Sequence, residues 1–243
     1  MSQTQKYYCG ELAIWKYWRI SETQSTNDLA KTLTEEYAVI RADFQKNGRG
    51  QPGKTWNSPA AKNILATFKL PKKQMDNCLI FMAAMSVIQT LKKFKIKGYC
   101  KWPNDVLTQF GKISGILIEA DSDNYYVGIG LNVNWPEQLQ FDERNQYTSF
   151  FAEGIQVDID VVFEELAKKI AQIINFTNSK ILKFIRENFD AKNKRVLVNY
   201  NDDWLIGFIV DINEHAQLIV ELINGKQITI NSSNQIRYFD DRN

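Results

Sequence analysis

Short apolar runs with strand-like alternation are interleaved along the chain with longer runs of helical spacing. The first half predicts three strands and a helix, at Trp18–Glu22, Ala38–Phe44, Asn63–Leu70 and Leu29–Tyr37. Hydroxyl and amide side chains at Ser25–Asp28 would cap that helix. Met75–Phe94 is long, strongly apolar and free of glycine and proline, so it predicts a buried central helix.

The second half continues with sheet and then with helices. It predicts a strand at Tyr99–Trp102, strands at Lys112–Ala120 and Tyr125–Val133, and helices at Ile159–Phe176 and Ser179–Asn188. Asp121–Asn124 is a strong turn signal that joins the two longer strands into a hairpin. Either Asp158 or Asp160 would cap the first of the two helices.

From Arg195 onward, short β-type runs alternate with turn residues such as Asn201–Asp203 and Asn224–Gly225. This texture predicts a small all-β barrel of about 50 residues. The whole pattern is that of an α+β protein, with a catalytic-sized domain at residues 1–191 and a β module at residues 192–243.

Composition narrows the class of protein. The 243 residues are 44% hydrophobic and 24% charged, which excludes disordered, collagen-like and coiled-coil chains. Lys and Arg number 30 against 28 Asp and Glu, so the net charge is +2 and gives no reason to expect nucleic acid or membrane as a partner. The one histidine, His215, excludes an HExxH metalloprotease.

The three cysteines, Cys9, Cys78 and Cys100, include no CxxC pair, so neither a disulfide framework nor a zinc ribbon is expected. Free thiols are typical of a reducing compartment and predict a cytoplasmic protein. The first residues lack the basic start and apolar run of a signal peptide. The most apolar stretch, Cys78–Ile88, is far shorter than the roughly 20 residues that cross a bilayer.

The irregular loop expected at Gln45–Ser58 carries candidate chemistry. Its glycines let backbone N–H groups approach an anion, cationic side chains lie among them, and Trp56 offers a flat face for a ring. The string GRGQPGKT formally matches GxxxxGK[ST], but Arg49 and Pro52 are awkward in a nest that wraps phosphates, and no doubly wound parallel sheet surrounds it. A solvated basic loop is an equal alternative.

Three further strings are weak signals alone. Lys101–Asp105 reads KWPND, where a rigid Trp-Pro precedes Asn-Asp, although an ordinary turn would look the same. Lys112–Leu117 opens a buried strand with a lysine, and Gly115 leaves room for a ligand against the backbone. Gly128–Asn134 places two glycines and Asn132 in an apolar strand, and a buried asparagine needs a ligand or a hydrogen-bond network.

Together, and in this order, these strings resemble the biotin protein ligases over roughly residues 18 to 135. The matching strings are Ser25–Asn27, Gly48–Trp56, Lys101–Asp105, Lys112–Leu117 and Gly128–Asn132. The β tail is similar to the SH3-like C-terminal module of that family. The resemblance implies a mixed, mostly antiparallel sheet packed with helices.

The resemblance also implies an activity: biotin and MgATP give biotinyl-5′-AMP, and a lysine of a biotin carboxyl carrier domain then takes the biotin. Lys112 and Arg49 are the expected catalytic cations, because a carboxylate and an α-phosphate must approach each other. Asp105 is expected to accept the proton of the acceptor lysine or to orient its amine. Magnesium is implied by ATP, and no residue spacing indicates a metal site.

Binding roles follow from the same resemblance. The residues expected to bind biotin are Ser25, Thr26, Asn27, Gln45, Gly48, Arg49, Gly50, Lys112 and Gly115. The residues expected to bind ATP or the adenylate are Arg49, Lys54, Trp56, Asn104, Lys112 and Asn132, with Trp56 on the adenine.

The loop departs from the most familiar family version, GRGRRGR, because Gln51 and Pro52 replace two arginines and Lys54 replaces a third. The loss of cations predicts that the intermediate escapes faster than in arginine-rich relatives. Only 24 residues precede Ser25, too few for the DNA-binding domain of repressor members, so no repressor role is expected. Sheet-edge homodimers are common in this fold, but no residue decides the oligomeric state.

Two other functions remain open at this stage. Lipoate–protein ligases share the fold and the adenylate chemistry, although KWPND and the β tail favour biotin. A non-enzymatic peptide-binding module, with the β tail as its interaction unit, is the alternative of another class.

Overall fold

The computed structural model describes residues 7–51, 53–72, 78–135, 140–142 and 145–239. Its main sheet has eight strands in the order β1-β2-β3-β4-β8-β7-β6-β5. Their bounds are β1 Tyr7–Leu12, β2 Trp15–Thr23, β3 Ala38–Gln45, β4 Asn63–Pro71, β5 Tyr99–Lys101, β6 Asp105–Thr108, β7 Gly111–Ala120 and β8 Asn124–Asn132. Strands β2 and β3 are parallel and the other neighbours antiparallel, so the predicted mixed, mostly antiparallel sheet is confirmed. Two short strands, β9 Gln140–Asp142 and β10 Asn145–Gln146, pair separately.

Helices lie on both faces of the main sheet. They are α1 Thr26–Ala30, α2 Leu79–Lys93, α3 Ile159–Ile173 and α4 Asn178–Glu187. Because side chains alternate along a strand, Val127, Ile129 and Leu131 of β8 join a core with α2 and α3. Tyr126 points the other way and packs in a smaller cluster with Ala30 of α1.

The C-terminal module is an antiparallel sheet in the order β14-β13-β12-β11-β15. Its strands are β11 Arg195–Tyr200, β12 Asp203–Ile212, β13 Leu218–Leu222, β14 Gln227–Ile230 and β15 Ile236–Tyr238. The predicted β module is therefore present, and closure into a barrel stays a prediction. Its buried residues, such as Val198 and Ile209, belong to the same hydrophobic cluster as α2 and α3.

One predicted helix is wrong in position. The structure has a five-residue helix at Thr26–Ala30, not one at Leu29–Tyr37. Thr32 ends it, since its backbone N–H donates to Leu29 O at 3.1 Å and its Oγ1 donates to the same oxygen at 2.8 Å. Lys69 Nζ then donates to Leu33 O at 2.6 Å and fixes the chain on its way to β3.

The other predicted elements are present, with shifted ends. Strand β2 is longer than predicted, and β1 and β6 were not predicted because one is interrupted by a bulge near Gly10 and the other has only four residues. Asp158 caps α3, accepting from Asp160 N at 2.8 Å. The first residues of the predicted central helix, 75–77, lie outside the described residues, and α2 begins at Leu79.

Cys78 and Cys100 are free and buried. Over the described part of the chain, no helix is long and apolar enough to cross a membrane.

Candidate functional site

A cavity of about 390 Å³ opens on the face of the main sheet that carries α1, beneath the loop between β3 and β4. Its volume lies in the range of small-molecule sites. Most of the predicted site residues line it: Ser25, Thr26, Asn27, Gln45, Arg49, Gly50, Lys54, Trp56, Asn104, Asp105, Lys112 and Gly115. Residues far apart in the sequence thus meet at one place.

Glycines of β7 and β8 form the floor of the cavity. A Cβ atom on Gly130 would lie 2.4 Å from Trp56 Cε2, and one on Gly115 would lie 2.7 Å from Trp56 Cζ3. A Cβ on Gly128 would lie 2.6 Å from Asn27 Oδ1. The chain's own side chains lie close to these glycines, and the approach of a ligand stays a prediction.

The polar end of the cavity consists of Thr26, Asn27 and Gln45, and the buried Thr67 lies behind them. Gln45 Oε1 accepts from the backbone N–H of Thr26 at 2.7 Å and from its Oγ1 at 3.0 Å. Thr67 Oγ1 donates to Asn27 Oδ1 at 2.6 Å. Asn27 Nδ2 is buried and has no hydrogen-bond partner in the described part of the molecule, so a ligand acceptor there would satisfy it.

The ion-pair end of the cavity consists of Lys112 and Asp105. Lys112 Nζ lies 2.7 Å from Asp105 Oδ1, and the two side chains are only 19% and 22% exposed. The same ammonium lies 5.4 Å from the centre of the Trp56 ring. The register of β6 and β7 produces this pair, since Asp105 lies opposite Gly115 and a bulge follows at Val106. A fixed positive charge therefore lies beside an aromatic face.

Arg49 lines the cavity, but its guanidinium is bound by two carboxylates of the protein, and its predicted contact with the substrates stays a prediction. Its guanidinium donates to Asp28 Oδ2 and Oδ1 at 2.6 and 2.8 Å, and to Glu119 Oε1 at 2.8 and 3.2 Å. The hydrogen bonds to Asp28 raise the pKa of Arg49 above its usual value, and those from Arg49 lower the pKa of Asp28. Burial alone would raise the pKa of Glu119, but hydrogen bonds from Lys31 and Arg49 outweigh it and lower the pKa.

Three predicted residues bond mainly to the protein itself. Asn132 is buried, accepts from Asn63 Nδ2 at 3.0 Å and donates to Thr148 O at 3.0 Å, so the predicted hydrogen-bond network exists. Asn132 lines a small neighbouring cavity and not the 390 Å³ cavity. Asn104 Nδ2 donates to a backbone oxygen of β7 at 2.9 Å. Gly48 O accepts from the backbone N–H of Trp56 at 2.9 Å and closes the loop.

The comparisons with known proteins agree with this geometry. Residues 18–134 match the model of the biotin/lipoate A/B protein ligase family. These residues form a domain of that family. The biotin protein ligase from Aquifex aeolicus in complex with biotin and ATP superposes with a TM-score of 0.79 at 26% identity, covering 92% of this chain and 99% of that chain.

Two curated relatives differ in how much of their length matches this chain. The biotin–[acetyl-CoA-carboxylase] ligase of Mycobacterium tuberculosis is 26% identical over 236 residues, 89% of this chain and 87% of that protein. The bifunctional ligase/repressor BirA of Bacillus spizizenii is 32% identical over 136 residues, 50% of this chain. The match spans only 42% of the length of that second relative.

The sequence did not point to three residues that contact the lining of this candidate site, Asp28, Thr67 and Glu119. Asp28 directly follows the string Ser25–Asn27, and Glu119 lies two residues after the string Lys112–Leu117. A carboxylate so close to each string could have been recognised as a candidate from the sequence. Thr67 lies in an apolar strand with nothing around it to single it out. Only the pairing of β4 with β8, which sets Thr67 opposite Gly128, brings it to the polar end.

The C-terminal module also contacts the strings of the ligase-family domain. Ser233 Oγ donates to Gln51 Oε1 at 3.0 Å, and Trp102 Nε1 donates to Ala216 O at 2.8 Å. Lys101 Nζ lies 5.4 Å from the centre of the Tyr238 ring, and burial lowers the pKa of Lys101. Pro52, a second of the three departures from the arginine-rich loop, lies outside the described residues.

Proposed function

We propose that this chain is a biotin protein ligase, which activates biotin as biotinyl-5′-AMP and transfers it to a lysine of a biotin carboxyl carrier domain. The observation that carries the proposal is one cavity with a hydrogen-bonding polar end, a glycine floor and an ion-pair end. The family of residues 18–134 and the biotin and ATP of the Aquifex aeolicus structure support it.

Biotin fits the cavity by its chemistry. Its ureido group has a carbonyl acceptor and two N–H donors, and Ser25, Thr26, Asn27 and Gln45 carry the complementary atoms. The buried Nδ2 of Asn27 gains a partner when the ureido carbonyl lies beside it. The bicyclic ring and aliphatic chain then lie in a slot shaped by Gly115, beside the Trp56 ring that contacts this glycine, and are covered by the backbone of Gly48–Gly50.

In the first step a biotin carboxylate oxygen attacks the α-phosphorus of ATP, and the bond to pyrophosphate breaks. Two anions must meet, which is unfavourable unless a cation lies between them. We place Lys112 there, because its ammonium is already fixed at the ion-pair end and needs no rearrangement to stabilise the developing charge.

In the second step the amine of the carrier lysine attacks the carbonyl carbon of the mixed anhydride, and AMP leaves. The attacking amine must lose a proton, and a carboxylate within reach can accept it. We assign this role, or the orientation of the amine, to Asp105.

The nucleotide occupies the side of the cavity near Trp56. We assign the adenine to the Trp56 ring, and Lys54, Asn104 and Asn132 to the adenylate, for which the two asparagines must exchange or extend their present bonds. Asp105 lines the cavity and would be a carboxylate ligand for magnesium, which would enter with ATP and neutralise phosphate charge. The homodimer and the fast escape of the intermediate stay predictions.

The experiment is ATP–pyrophosphate exchange with the purified chain, with biotin, lipoate and octanoate supplied in parallel. Exchange that depends on biotin alone is the expected result. Exchange that depends on lipoate would keep the fold and the role of Lys112 but replace the substrate. No exchange with any of the acids would contradict the proposal and favour a binding module.

A further inference from the structure

We propose that Asp28 and Glu119 are positioning residues, which hold the two described arms of the loop, Gly48–Gln51 and Gly53–Trp56, over the biotin slot by binding the Arg49 side chain. The three side chains together are called the Arg49 clamp. This inference rests on the proposed function for what the loop covers. In this proposal the Arg49 side chain holds the loop in place and does not bind the phosphates of ATP.

The clamp joins three separate segments of the chain. Asp28 is on α1, Glu119 is near the end of β7, and Arg49 is in the loop. Four hydrogen bonds of 2.6 to 3.2 Å connect them, and the pair with Asp28 is bidentate. Bidentate arginine–carboxylate bonds fix orientation as well as distance, so the guanidinium direction is well determined.

Charge explains why Arg49 stays away from the ion-pair end. Lys31 Nζ lies 2.6 Å from Glu119 Oε2 and 3.7 Å from Asp28 Oδ1, so two cations face two carboxylates. Moving Arg49 to a phosphate would leave these carboxylates with one cation between them. Lys112 meanwhile lies already at the other end of the cavity, beside Asp105.

Backbone bonds within the loop carry the effect of the clamp to the floor of the cavity. Gly50 N donates to Lys54 O and Trp56 N donates to Gly48 O, both at 2.9 Å, and Arg49 bridges to Thr55. The arm that carries Arg49 is therefore bonded to the arm that carries Trp56. Holding Arg49 holds the Trp56 ring on Gly115 and Gly130.

The test is a double-mutant cycle between Arg49→Gln and the pair Asp28→Asn with Glu119→Gln. One readout needs no activity: the rate of trypsin cleavage after Lys54, which is exposed but lies in the closed loop. The other is the biotin KM and the kcat of the exchange reaction. The matched control is Glu22→Gln, which removes the 2.5 Å ion pair that Glu22 makes with Lys46 at the start of the same loop.

We expect both Arg49→Gln and the Asp28→Asn, Glu119→Gln variant to be cleaved faster after Lys54. Each should also raise the biotin KM by about five- to thirtyfold, with kcat nearly unchanged. The triple variant should be no worse than Arg49→Gln alone, because both sides remove one clamp. Glu22→Gln should change neither quantity. Single variants at Asp28 and Glu119, with smaller effects, keep the test valid if a combination fails to fold.

Two results would overturn the clamp. One is unchanged cleavage and KM when the two carboxylates are neutralised. The other is a large loss of kcat from Arg49→Gln in both backgrounds, which would put Arg49 on the phosphates. If the wild-type chain catalyses no ATP–pyrophosphate exchange with any of the acids, the proposed function is refuted. The rates of trypsin cleavage would still show whether the Arg49 clamp holds the loop.

Discussion

Lys112 is the side chain on which the proposed chemistry depends most directly. Its ammonium is held by Asp105 on one side and by the Trp56 ring on the other, and it is largely shielded from solvent. Charge fixed in advance stabilises a transition state without the reorganisation that water would need. The residue is therefore more important for rate than for folding.

We predict that Lys112→Ala lowers the kcat of biotin-dependent exchange by about 100- to 1,000-fold. The melting temperature should change little, because Lys112 lines the cavity and does not belong to the hydrophobic core. Lys168→Ala is the matched control, since Lys168 also pairs with a carboxylate, Glu164, but on α3 away from the cavity. A kcat within a few-fold of wild type would show that Lys112 is not the cation of the first step.

Individual site residues could be predicted where the residue type and the order of the strings both matched the family pattern. Gly115 and Lys112 are a weak signal alone, and their predicted roles came from the order of the strings that resemble the ligase family. The direction of the Arg49 side chain could not be predicted, since it depends on two carboxylates that are 21 and 70 residues away. Thr67 was missed because a threonine in a strand is ordinary.

Among the elements, the β7–β8 hairpin does the most to position the site. One face of each strand packs against α2 and α3, and the other face is the floor of the cavity. The floor must be flat for Trp56 to approach, and glycine is the only residue that allows this at Gly130.

We predict that Gly130→Ala displaces Trp56 and raises the KM for both biotin and ATP by about tenfold or more, since the new methyl group would overlap the ring. Steady-state exchange kinetics measure this. Gly98→Ala is the control, because its methyl group would press on Leu91 in the core, far from the cavity, and should affect stability alone. Equal KM values in the two variants would contradict the role of the floor.

The elements themselves were largely predictable because their apolar periodicity is strong. The hairpin was found from its two apolar runs and the Asp121–Asn124 turn. The helix after Ser25 was misplaced because Thr32 ends it with two bonds to Leu29 O, and Lys69, a residue of another strand, then holds Leu33 O outside the helix. Strand β6 is too short for any periodicity to show.

Over the whole molecule, the C-terminal module and the ligase-family domain share one hydrophobic cluster. Hydrogen bonds from Trp102 to Ala216 and from Ser233 to Gln51 join them near the cavity. The predicted boundary between residues 191 and 192 follows a change in the pattern of predicted elements, from helices to short strands. Such a pattern does not show which residues pack together. We therefore expect the two parts to unfold together.

We predict a single unfolding transition in urea, with the same midpoint by circular dichroism and by tryptophan fluorescence. Ile209→Ala in the module should lower the free energy of unfolding of the whole chain by about 2–5 kcal/mol, because Ile209 is fully buried. Ile223→Ala should have almost no effect, since Ile223 is 73% exposed. Two separate transitions, with only one moved by Ile209→Ala, would show independent domains.

The two-faced β7–β8 hairpin ties ligand occupancy to the fold itself. A molecule bound on the floor has no site once the strands behind it separate, so the unfolded chain cannot retain it. By thermodynamic linkage, a ligand present at one hundred times its Kd then adds about 2.7 kcal/mol to the stability of the native state. Supply of the small molecule would in this way set not only how fast the protein works but how long it resists unfolding.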